Sequence, residues 1–146
     1  MLVVDDDPAM CELVQAGLKD CNVTYSTSPM QAIDLVRQGT FDVVLTDLRM
    51  KGMTGNELCR ALRDMRPDVP VLLMTAFGSV ESAAEALRAG AQGYLVKTAE
   101  VAEVIDGIRA VMRGEAPLSQ RIASAVVRAM RKPIPEGLGG LDALTP

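Results

Sequence analysis

Four short apolar runs, at residues 2–4, 43–45, 71–74 and 93–96, and the β-prone stretch Val23-Thr24-Tyr25-Ser26 recur along the chain at intervals of roughly twenty to thirty residues. All five are too short for helices and read as strands, and Val43-Val44-Leu45 has the pattern of a strand buried on both faces. Between them the apolar positions switch to a helical period. Met10, Leu13, Val14 and Leu18 predict a helix from Pro8 to about Lys19, and Ser28-Pro29 opens a second helix whose apolar side carries Ile33, Leu35 and Val36. A third runs from about Gly55 to Arg66, with Leu58, Ala61, Leu62 and Met65 inward and Arg60, Arg63 and Arg66 on a solvated face. A fourth spans Val80 to Ala89 and closes on Gly90, and a fifth runs from about Glu100 to Arg113. Five β-α units with short connections predict an α/β doubly wound parallel sheet with strand order 2-1-3-4-5.

Composition narrows the function. At 146 residues the chain is one domain, or one domain with an appendage. Only 3% of residues are aromatic, which favours layered aliphatic packing. No apolar run approaches the roughly 18 residues of a membrane span, and no signal peptide precedes the first strand, so a cytoplasmic location is expected. Cys11, Cys21 and Cys59 read as small hydrophobes in a reducing compartment. There is no histidine, which excludes a Ser-His-Asp triad, a His metal site and a His phospho-carrier. Residues 1–112 carry a net charge of −6 and residues 113–146 a net charge of +2. The acidic main domain is unsuited to direct nucleic-acid binding.

In a parallel sheet every strand's carboxyl end lies on one edge, where α/β folds bind ligands. Asp5, Asp6, Asp47, Thr75 and Lys97 follow directly on four strand ends and should converge there. Taken alone, Asp47 reads as a turn former, and one aspartate of the triplet Asp5-Asp6-Asp7 before Pro8 can be explained as a helix cap. Adjacent carboxylates repel one another, and a hard divalent cation is the natural compensation.

The segments Val-Val-Asp5-Asp6-Asp7-Pro, Leu-Thr-Asp47-Leu-Arg-Met, Met-Thr75-Ala76-Phe-Gly-Ser and Ala-Gly-Ala-Gln-Gly-Tyr94-Leu-Val-Lys97 together resemble the receiver domain of bacterial two-component response regulators. The resemblance covers residues 1 to about 113. It implies a flavodoxin-like fold that accepts a phosphoryl group on Asp47 from a sensor histidine kinase. It further implies Mg²⁺ held by Asp5, Asp6, the Asp47 carboxylate and the backbone carbonyl of Arg49. Thr75, Ala76 and Lys97 would contact the phosphoryl group, and Thr75 and Tyr94 would form the switch pair. Arg49 and Phe77, each two residues past a site residue, would set the lifetime of the phosphorylated form. Homodimerisation on phosphorylation is compatible with this class. Such a domain is not an enzyme toward other substrates, since it catalyses only its own phosphorylation and dephosphorylation. Where the family commonly has a cis proline after the lysine, this chain has Thr98. A cis non-proline bond costs about 2.5–4 kcal/mol, so a trans bond is expected. Lys51 stands where the family often has proline.

The Lys-Thr pair is similar to the branch carrying LuxR/NarL-type DNA-binding output domains. Residues 114–132 are expected to hold a C-terminal helix packing through Ile122, Val126 and Val127, and residues 133–146 a Pro/Gly-rich linker toward a helix-turn-helix domain, with the chain cut at that boundary. Two alternatives belong to other classes. An aspartate-based phosphatase would want a second aspartate at position 49, where Arg49 stands, and a phosphorylation-independent interaction module would be expected to lack the acidic pair or Lys97.

Overall fold

The computed structural model describes residues 1–76, 78–97 and 101–118, together with Ser124, Val127 and Arg128. The strands are β1 (Leu2–Val4), β2 (Thr24–Ser26), β3 (Val44–Asp47), β4 (Val71–Thr75) and β5 (Gly93–Val96). The helices are α1 (Pro8–Gly17), α2 (Pro29–Gln38), α3 (Gly55–Met65), α4 (Val80–Arg88) and α5 (Val101–Met112). All pairings are parallel, and the order is β2-β1-β3-β4-β5. The predicted elements and topology are therefore those of the folded chain.

Successive side chains of a strand point to opposite faces, so each buried run feeds two cores. Leu2, Val4, Val44, Leu73 and Tyr94 pack with Val36, Leu58, Leu62, Ala83 and Ala86 beneath α2, α3 and α4. Val3, Leu45, Leu72, Met74 and Leu95 pack with Cys11, Val14, Leu18, Val104 and Ile108 beneath α1 and α5. Burial pushes the Cys11 and Cys59 thiols up to about 11, so both serve as apolar filling.

Local chemistry starts the first four helices. Ser28 and Ser79 cap α2 and α4, and Pro8 and Pro29 occupy first-turn positions of α1 and α2. Thr54 and Glu57 form a reciprocal capping box at α3.

Three expectations change. Leu13 is 45% exposed, and Cys11 takes the inward place on α1. Arg63 and Arg66 are not simply a solvated face. The Arg63 guanidinium donates to the carbonyls of Pro67 (2.7 Å) and Val69 (3.3 Å), and that of Arg66 to Gly39 (3.2 Å), tying α3 to neighbouring loops. Periodicity reports which face an arginine occupies, but not the carbonyls a long guanidinium stem can reach. Val127 is helical and 46% exposed. Residues 114–118 are turn and extended chain rather than helix. Ile122, Val126, the linker at 133–146 and the Lys97-Thr98 bond lie outside the described residues.

One glycine lets α3 approach the end of β3. A Cβ on Gly55 would collide with the Asp47 carbonyl oxygen and come 2.8 Å from Leu48 Cα, while the Gly55 N–H donates to the Leu48 carbonyl at 2.7 Å. Gly55→Ala is expected to cost about 1–3 kcal/mol, the range for forced overpacking. Urea unfolding of the two proteins checks this, and an unchanged midpoint would show that the loop gives way freely.

Candidate functional site

The carboxyl edge of the sheet is aligned by hydrogen bonds that continue the ladders past the strands. The Asp5 N–H donates to Ser26 O (3.1 Å), Leu48 N–H to Met74 O (2.8 Å) and Lys97 N–H to Thr75 O (2.6 Å). These bonds fix the residues flanking each strand end, so Asp5, Asp47, Thr75 and Lys97 meet at one edge.

Each member of the acidic triplet has a different task. Asp7 is the N-cap of α1, its Oδ1 accepting from the Ala9 N–H at 3.0 Å. Asp5 is fully buried; its Oδ1 accepts from the Asp7 N–H at 2.9 Å. Asp6 is exposed. One carboxylate oxygen from each of Asp5, Asp6 and Asp47 lies within 4.8 Å of the others. The Lys97 ammonium sits between the two buried ones, 2.8 Å from Asp5 Oδ2 and 3.2 Å from Asp47 Oδ2. Asp5 Oδ2 is closed to water, and the Lys97 ammonium at 2.8 Å is its compensation.

Burial drives the Asp47 carboxyl above its ordinary value, and the Asp5 charge adds to that push. The Lys97 charge and hydrogen bond and the Arg49 N–H pull it back without cancelling the rise. Burial alone would lower the Lys97 pKa; hydrogen bonds and charge from Asp5 and Asp47 overcome it, and the ammonium titrates above its ordinary value. Lys97 is therefore firmly charged. Three carboxylates against one ammonium leave the cluster with an excess of two negative charges when all are ionised. Hard oxygen donors with that charge, two of the three carboxylates buried, fit a divalent cation such as Mg²⁺.

The remaining predicted residues are close by. Thr75 is 1% exposed at the end of β4, and Ala76 is half-buried beside it. Leu73 pairs with Tyr94 across β4 and β5, which puts the Thr75 and Tyr94 side chains on the same sheet face. Tyr94 is fully buried, its hydroxyl donating to Ser82 Oγ at 3.0 Å and accepting from the Ser79 N–H at 3.4 Å. Arg49 is exposed, its backbone N–H directed to the Asp47 carboxylate. Phe77 lies outside the described residues. Ser79 and Ser82 were not singled out from the sequence; Ser79 was readable only as a helix cap, and nothing local marks Ser82 as a tyrosine partner.

In metal-free buffer Asp47→Asn is expected to melt higher than the parent at neutral pH, because the neutral amide removes a charge disfavoured by burial and by Asp5. The folded-state pKa lies above the unfolded one, so the native penalty exists above the folded value. It fades as pH falls through that value toward the ordinary 3.8, where the parent protonates too. The gain should shrink with acidification, and thermal melts across pH check it; a variant less stable than the parent at neutral pH would contradict the assignment.

With the geometry established, three comparisons with known proteins agree. Residues 1–109 match the response regulator receiver domain family. The chain is 46% identical over 99 residues to the transcriptional regulatory protein ZraR of Escherichia coli K12, covering 66% of this chain and 22% of that protein. It is 36% identical over 115 residues to the probable transcriptional regulatory protein TcrX of Mycobacterium tuberculosis, covering 77% of this chain and 49% of the relative. The chain thus spans between about a fifth and a half of these relatives' lengths. Among solved structures, a LuxR-family two-component response regulator from Aurantimonas sp. SI85-9A1 superposes with a TM-score of 0.79 at 27% identity, covering 90% of this chain and 96% of that one. The signal receiver domain of the putative response regulator NarL from Mycobacterium tuberculosis gives 0.71 at 29% identity, covering 78% and 95%. The fold is accordingly flavodoxin-like, and the chain belongs to the response regulator receiver domain family.

Proposed function

We propose that this chain is a phosphorylation-controlled switch, accepting a phosphoryl group on Asp47 from a sensor histidine kinase and altering the surface that governs a DNA-binding output domain. The observation that carries the reading is the buried Asp47 carboxylate, 3.2 Å from Lys97 Nζ and within 4.8 Å of the Asp5 and Asp6 carboxylates. An Asp47 oxygen attacks phosphorus in line; the bond from phosphorus to the donor breaks, and an acyl phosphate forms. Lys97 neutralises a phosphoryl oxygen, and the Thr75 hydroxyl and the Ala76 N–H donate to others. Asp5, Asp6, Asp47 and the Arg49 carbonyl would hold Mg²⁺, which supplies further charge neutralisation when bound. Thr75, drawn toward the phosphoryl group, frees space that Tyr94 occupies, converting the charge event into a repacked surface.

The relatives named as transcriptional regulatory proteins support a DNA-binding output, and the likeness to a LuxR-family regulator supports the LuxR/NarL type. We assign residues 1–113 to the receiver unit, 114–132 to a following segment that includes the C-terminal helix and 133–146 to a linker. The switch works in the cytoplasm, consistent with the lack of a membrane-crossing helix among the described residues, and homodimerisation on phosphorylation is compatible with this reading. Arg49 at the position where a phosphatase would need a second aspartate disfavours that chemistry.

Incubation with acetyl phosphate and Mg²⁺ is expected to add one phosphoryl group by intact mass, and Asp47→Asn to abolish the addition. Full labelling of that variant would overturn the proposal. Asp6→Ala should weaken Mg²⁺ binding by calorimetry about tenfold or more, some 1.4 kcal/mol, while unchanged affinity would remove Asp6 from the cation site.

Neither Arg49 nor Phe77 offers a carboxamide or carboxylate to orient an attacking water, so self-dephosphorylation is expected to be slow. The double substitution Arg49→Asn with Phe77→Glu should accelerate decay of the phosphorylated form. Decay no faster than the parent's would show that shielding by these residues does not set the lifetime.

A further inference from the structure

At the edge of the sheet, β5 would expose a row of unpaired backbone groups, a standing invitation to strand addition. The chain covers the Tyr94 part of that row with its own exit from the fold. After α5 a turn through Gly114, at φ +82°, reverses the chain, and the Arg113–Glu115 ion pair at 3.0 Å closes the reversal. Residues 115–118 then run back along β5: Leu118 makes a parallel bridge with Tyr94, and the Tyr94 N–H donates to the Pro117 carbonyl at 3.1 Å. The Gln92 side-chain amide donates to the carbonyls of Gly114 (3.3 Å) and Glu115 (3.0 Å).

Gly93 explains itself here. A glycine inside a strand weakens it and marks a close backbone approach. A Cβ at Gly93 would come 2.7 Å from the Pro117 carbonyl oxygen and 2.8 Å from its ring carbons, so this strap fits only over a residue without a side chain. Leu118 packs against the core cluster that contains Tyr94. Tyr94 is thus held at two ends, its backbone by the strap and its hydroxyl by Ser82 of α4 and the α4 cap residue Ser79.

We propose that residues 114–118 are a latch, positioned by Gln92 and Gly93, that keeps Tyr94 buried under α4 and links its state to the chain leaving the domain. The inference deepens the proposed switch role of Tyr94 and rests on it for its consequence, though not for its test. Coupling of this kind is reciprocal: whatever loosens the strap loosens Tyr94, and displacement of Tyr94 loosens the strap.

The full chain has two tyrosines and no tryptophan, and Tyr25 is 45% exposed on β2, so Tyr25→Phe leaves Tyr94 as the sole tyrosine fluorophore. In that background Gly93→Ala pushes the strap off, and Gln92→Ala, a milder change, removes only the two amide bonds. Both are measured without phosphorylation, by acrylamide quenching and by hydrogen exchange of the Tyr94 amide. The expected result is faster exchange of that amide together with a several-fold rise in quenching, larger in Gly93→Ala. Faster exchange with unchanged quenching would overturn the latch, because the strap would then leave without moving the ring. Unchanged exchange in both variants would overturn it too, since the strap would not guard Tyr94. If Gly93→Ala fails to fold, Gln92→Ala decides alone by the same criteria. Asp47 labelling of separate aliquots keeps the two readings apart: its absence in the parent sinks the phosphorylation role and leaves the quenching result intact.

Discussion

The Lys97 ammonium between Asp5 and Asp47 is the interaction on which the rest depends. Two buried carboxylates side by side repel and lose hydration, and neither cost is tolerable in an apolar sheet without a counter-charge. Lys97 supplies one positive charge where full ionisation of Asp5, Asp6 and Asp47 would require three. Burial and the Asp5 charge, which Lys97 does not fully offset, raise the pKa of Asp47, while the two carboxylates hold Lys97 charged. The site is prepared by being under-compensated.

The fold serves this by making the cluster unavoidable. Parallel pairing sends every strand's carboxyl end to one edge, and the register sets Val4 beside Thr46 and Asp47 beside Met74 there. Gly55 lets α3 press against the backbone after Asp47, and the Lys97 N–H bond to Thr75 O joins the last two strand ends. Tyr94 carries the same rigidity outward, since it lies on Thr75's side of the sheet and contacts α4 through Ser79 and Ser82.

Most of this was readable before any coordinates. Strand runs bounded by Asp5, Asp47, Thr75 and Lys97 state both the topology and the site, because a parallel sheet turns sequence position at a strand end into spatial convergence. What escaped depends on reach rather than period. Arg63 and Arg66 look like a solvated face until their guanidinium groups are seen on loop carbonyls. Leu13 has the spacing of a core residue, yet Cys11 and Val14 suffice to cover the sheet. The strap at 115–118 has too little periodicity to announce itself, and its only signal was Gly93 within a strand. Ser82 acquires meaning only once α4 is laid over Tyr94.

The most direct test of the central claim is chemical. An acyl phosphate on aspartate is reduced by borohydride to homoserine, whereas a phosphate ester on Ser or Thr is not. After treatment with acetyl phosphate and Mg²⁺ and then borohydride, peptide mass mapping should find homoserine at position 47 and at no other aspartate. Homoserine at Asp5 or Asp6, or phosphate persisting on a hydroxyl residue with position 47 unmodified, would contradict the account.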